Sequence, residues 1–74
     1  MIDELDRVVL TRAVPEHRLE AGDVGTVVAV HDDGRGYTVE FMSLDGTSVA
    51  IVTHRAEYFR PVGPGELAHA RKVA

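Results

Sequence analysis

Apolar and polar positions along most of this chain change over in short runs, broken repeatedly by glycine and proline. That rhythm predicts an antiparallel series of short strands joined by tight turns. The first run is Arg7-Val8-Val9-Leu10-Thr11, entered from an acidic turn whose Ile2 and Leu5 are placed to cap a core. Val14 precedes Pro15 and must be extended, because the proline ring excludes the α region for the residue before it. Leu19 is the one large apolar residue of the loop that follows, so it is expected to plug an open end of the fold.

The second run, Val24 to Val30, contains Gly25, and its core-facing Val27 and Val30 stand at an odd spacing. A strand has period two, so that spacing requires an irregularity, and a glycine inside a strand marks a bulge or a close backbone approach. Gly22-Asp23 just before it reads as a turn with positive φ. Tyr37, Val39 and Phe41 alternate with Thr38 and Glu40, as in a half-buried strand. Asp45-Gly46 is a hairpin signal, and Ser48 to Thr53 forms the fourth strand. His54 to Tyr58 reads as one helical turn, and Phe59-Arg60-Pro61-Val62 as a short last strand. Beyond Gly63-Pro64-Gly65 the chain has helix-forming composition over a stretch too short to be stable alone, which suggests a flexible tail or a helix formed only on docking.

The fourth strand departs from alternation. Val49, Ala50, Ile51 and Val52 offer apolar groups to both faces. A strand apolar on both sides is normally covered on both sides, and left bare it is an aggregation hazard. A second copy, another protein or the chain's own tail is expected to cover it. Those four residues, with Arg55 and Tyr58 beside them, form the candidate partner-binding set.

With 74 residues there is room for a single core. A chain of this size buries only about 60% of the surface its unfolded form exposes. Small domains gain stability from disulfides, metals or association. Cysteine is absent, and His17, His31, His54 and His69 show no metal-ligand spacing, so association remains. Residues 1–62 carry 11 acids against 6 arginines, a balance of −5; the remainder, with Glu66 against Arg71 and Lys72, carries +1. An acidic body is repelled by a phosphate backbone, which disfavours nucleic acid as a partner. No run reaches membrane-spanning length and the acidic start is unlike a signal peptide, which suggests a cytoplasmic protein without a membrane partner.

Five short strands with a helical turn before the last resemble an SH3-like barrel, an all-β fold. The segment Gly22 to Val30 resembles the KOW element of ribosomal and transcription-factor barrels. A closer resemblance lies in Glu4 to Thr11, Ala21 to Val28, Gly36 to Phe41, Asp45-Gly46 and Arg60-Pro61-Val62. Together these look like the bacterial family called domain of unknown function 4926, which has no agreed catalytic residues to carry over. The tail beyond Val62 lies outside this resemblance.

Other chemistry is thin. Ser43, Asp45, Ser48 and His54 could be drawn as a hydroxyl, imidazole and carboxylate set, but nothing provides a nucleophile elbow or an oxyanion site. His31, Asp32 and Asp33 are adjacent on a turn and cannot converge unaided on a metal. Gly22, Gly25, Gly34 and Gly36 lack the lysine and following helix of a phosphate loop. Tyr37, Tyr58 and Phe59 could line a groove for extended peptides, although Phe41 and Phe59 read as core. Arg12, Arg18, Arg35, Arg55 and Arg60 suit either an interface or local pairing with Glu16, Glu20 and Glu57. The expectation is a non-catalytic protein-interaction module without cofactor or small-molecule substrate. It would dimerise or dock to a protein encoded nearby, as an antitoxin, immunity protein or accessory subunit. The alternative is a KOW-like barrel associated with nucleic acid or the ribosome.

Overall fold

The computed structural model describes residues 1–73. The chain is all-β: β1 (Arg7–Leu10), β2 (Val24–His31), β3 (Gly36–Met42), β4 (Ser48–Arg55) and β5 (Phe59–Pro61) form one antiparallel sheet in the order β4-β3-β2-β1-β5. Single 3-10 turns occur at Pro15–His17, Asp32–Gly34 and Ala56–Tyr58; the last stands directly before β5 as expected but is shorter than the turn read from His54, because His54 and Arg55 pair with β3 and extend β4.

The sheet curls strongly without closing, so β4 and β5 remain its edges. Neighbouring strands lie ~4.8 Å apart, which would place β3 and β5 ~14 Å from each other in a flat sheet. Yet the rings of Tyr37 on β3 and Phe59 on β5 meet edge to face with centroids 6.1 Å apart. Their quadrupoles favour this arrangement. The core therefore fills the concave side, where Val8, Leu10, Val27, Tyr37, Val39, Phe41, Val52 and Phe59 pack with Val14 and Leu19. Leu19 plugs this core as expected, held by a bridge between Val14 and Leu19. Leu5 does not cap it. Leu5 takes a left-handed conformation (φ 71°) and is 79% exposed, while the flanking Leu5 amide and Asp6 carbonyl bond to Val27. Ile2 alone of the expected pair packs against the core.

The irregularity read from Val27 and Val30 is a register shift between Val27 and Ala29. Val28 becomes the extra residue, and both Val27 and Val30 can then face inward opposite Val39 and Tyr37. Gly25 allows β2 to approach β3 closely here. A Cβ at this position would lie 2.5 Å from Val39 Cγ1 and 2.9 Å from the Glu40 carbonyl oxygen. The second contact is with backbone and cannot swing away. Gly25→Ala is expected to lower unfolding free energy by about 1–3 kcal/mol, the usual cost of overpacking. Denaturant melts of the two chains measure it.

Candidate functional site

Register decides what β4 shows to the outside. Ala50, Val52 and His54 stand opposite Phe41, Val39 and Tyr37 and so share the concave face. Val52 is buried in the core and Ala50 packs against it. Ile51 stands opposite Glu40 on the convex face and is 58% exposed. Val49 occupies a second register shift, between Phe41 and Met42, and is half-buried. Thus the strand that reads as apolar on both sides has its inner half satisfied by the core, and its one exposed large apolar side chain is Ile51. Along the edge, Ser48 to His54 carries no carboxylate, lysine or arginine and no proline.

The two remaining members of the candidate set lie at the far end of β4. Arg55 is exposed, 3.6 Å from Glu57. Tyr58 is half-buried and stacks on His54 with centroids 4.1 Å apart and planes 8° from parallel. The Arg12 guanidinium lies 4.8 Å from the centre of the same phenol ring, a cation–π contact. Thr11 donates to the Glu57 carbonyl at 2.7 Å and ties this stack to the end of β1. The convex face is polar at this end. His31 Nε2 and Thr38 Oγ1 are 2.7 Å apart, as are Thr38 Oγ1 and Thr53 Oγ1, forming a ladder across β2, β3 and β4.

The structure does not assemble the drawn catalytic set. Ser43 donates to Asp45 and to the Thr47 carbonyl within the hairpin loop, and the Thr47 amide donates to Asp45. His54 is engaged with Tyr58 at the other end of β4. Those hydrogen bonds, from Ser43 first and then Thr47, hold the Asp45 carboxyl below its ordinary value. Asp32 and Asp33 both take left-handed conformations at the tip of their turn. No three His, Asp or Glu side chains gather as a metal site among the described residues.

Sequence reasoning offered the tail as one cover for the fourth strand but did not disclose where it attaches. Residues 63–73 form no helix and return across the end of the sheet. Arg60 and Glu66 form a bidentate pair, with N–O distances of 2.8 and 2.7 Å. Further on, Arg71 reaches the turn before β2. Its Nε donates to Asp23 Oδ1 at 2.9 Å, Nη2 donates to Asp23 Oδ2 and to the Arg18 carbonyl at 3.1 Å, and Nη1 lies 3.4 Å from Glu20 Oε2. All three guanidinium nitrogens are engaged. Asp23 is itself fixed by a hydrogen bond that the Glu20 amide donates to its carboxylate and by one that its own amide donates to the Glu20 carbonyl. Burial opposes ionisation of Asp23, but the hydrogen bonds from Arg71 and the Glu20 amide outweigh it and lower its pKa. Between tail and sheet lies a cavity of about 280 Å³, lined by Leu19, Val24, Phe41, Met42, Leu44 and Val49 and by the tail's Leu67, Ala68, Ala70 and Val73. The alternating pattern could not disclose this contact, because Arg71 and Asp23 stand 48 positions apart.

Among known proteins, the family model described as Domain of unknown function (DUF4926) matches residues 4–61, and the chain belongs to that family. No curated protein and no solved structure matches it.

Attachment of the tail should follow its carboxylates. Hydrogen bonding from Arg60, then from the Gly63 amide, lowers Glu66 from 4.5 to about 2. A depressed pKa means that the pairing contributes above the unfolded value and is lost as pH falls through the folded one. The Arg60 side-chain proton resonances are therefore expected to hold from neutral pH to about 4.5 and to shift between there and about 2. Arg71→Ala is expected to free the tail yet leave the denaturant midpoint of the strands nearly unchanged, since partly exposed ion pairs contribute little to global stability. Parallel chemical melts and tail relaxation rates check both halves of that statement.

Proposed function

Because the chain belongs to a family whose description assigns no function, we propose from its geometry that it is a non-catalytic protein-interaction module that self-associates through the free edge of β4. The observation that carries this reading is Ile51: a large β-branched side chain, 58% exposed, on an eight-residue edge strand. Natural proteins blunt such edges with charges, prolines or bulges. Here the bulge at Val49 affects only the beginning, leaving Ala50 to His54 in regular register and without formal charge at neutral pH. A chain of net charge −4 repels its copies at most surfaces, and this neutral edge is where that repulsion is least. An antiparallel pair of edges related by a two-fold axis would join two sheets, as closed symmetric dimers do. In such a pair the contributions divide: Ala50 and Val52 supply backbone and fix the inner side, while Ile51 supplies the apolar contact. Arg55 and Tyr58 flank the seam.

Ile51→Glu is expected to abolish association while leaving the barrel-like core intact, since the side chain points away from that core. Sedimentation velocity across a concentration series reads the first effect and a thermal melt the second. An Ile51→Glu chain that associates as well as the parent would place the contact elsewhere.

A further inference from the structure

The seat of Arg71 is a built subsite, and nothing in the proposed edge contact uses it. The Asp23 carboxylate faces the guanidinium edge, Glu20 approaches from another side, and the Arg18 carbonyl takes a further proton. A planar fork with its donors in fixed directions satisfies all of these, whereas an ammonium group cannot. The subsite is held by local backbone bonds around Gly22 and Asp23, including Gly22 N to Leu10 O and Leu10 N to Asp23 O, both 2.8 Å. It is therefore largely preorganised. Next to it runs the apolar groove floored by Leu19, Val24, Met42 and Val49.

We infer that this groove is a docking site for an extended, arginine-bearing peptide segment of another protein, and that the chain's own tail is its resident stand-in. Three observations support a foreign occupant. The subsite and groove residues, Arg18 to Val49, lie inside the family-matched span of residues 4–61, whereas the tail that fills the groove lies outside it. The tail fills it incompletely: beside the half-buried Val73 it places Ala68 and Ala70 over the cavity of about 280 Å³, and Leu67 at its rim is 94% exposed. The body that carries the groove is acidic, with a balance of −5 over residues 1–62, which favours a cationic segment. The fitting ligand has an arginine at the Arg71 position and an apolar side chain larger than alanine at the Ala70 position. The tail competes with it in cis, so affinity for the partner is tuned by how readily Arg71 lets go.

The test uses the full chain and fluorescein-labelled octapeptides copied from residues 66–73, read by anisotropy. The Arg71→Ala chain should bind the parent peptide saturably, and the unchanged chain should bind it more weakly because its own tail competes. Lysine in place of the peptide's arginine should weaken binding at least tenfold, and leucine in place of the alanine matching Ala70 should strengthen it. Asp23→Asn added to Arg71→Ala should remove binding, with circular dichroism confirming that the chain is folded. The lysine comparison stands even if that double variant unfolds. Equal binding of the arginine and lysine peptides, or no binding to the Arg71→Ala chain, would overturn the inference. So would a dimer of the unchanged chain that vanishes with Arg71→Ala, because the groove would then serve exchange of tails between copies.

Discussion

The contact of Tyr37 with Phe59 across the concave side of the sheet is the interaction on which the rest depends. It brings β3 toward β5 although two strands lie between them, and so converts a short meander into a curled sheet with an interior. Everything apolar on the concave side is consumed by this step. Val8, Val27, Val39 and Val52 are at most 4% exposed. A sheet of this size has no second layer, so the convex side and both edges are left to water, to the tail or to other molecules.

Curling has a geometric requirement, met at β2. The strand must bend where it runs beside β3, and two features give that bend: the missing side chain at Gly25 and the extra residue at Val28. The bend brings the start of β2 close to the end of β3 and the beginning of β4. Val24, Met42 and Val49 thereby border one apolar hollow, and the Glu20–Asp23 turn stands at its rim. The arginine subsite is a consequence of the same bend that closes the core.

Much of this could be read from the residues alone. The alternation of Tyr37, Val39 and Phe41 located β3 and its buried side; the odd spacing of Val27 and Val30 announced the register shift; Gly25 signalled close approach. These features are local, and the backbone period of two makes them readable. The fourth strand was legible only in part. Its pattern showed two apolar sides but could not show that pairing with β3 assigns Ala50 and Val52 to the core and Ile51 to the outside. Leu5 deceived because a leucine near a strand suggests a cap, whereas hydrogen bonds on either side of it force a left-handed turn that points it outward. The tail was least legible. Helical composition described its intrinsic preference, while its position is set by Arg60 with Glu66 and by Arg71 with Asp23.

In the proposed self-association, the outward backbone groups of the β4 edge are completed by another copy of this chain. Amide hydrogen exchange measured at rising protein concentration tests it most directly. The account predicts that amides of Ala50 to His54 directed away from β3 become protected as concentration rises, while the β5 edge exchanges at an unchanged rate. Exchange along β4 that is the same at every concentration would contradict it.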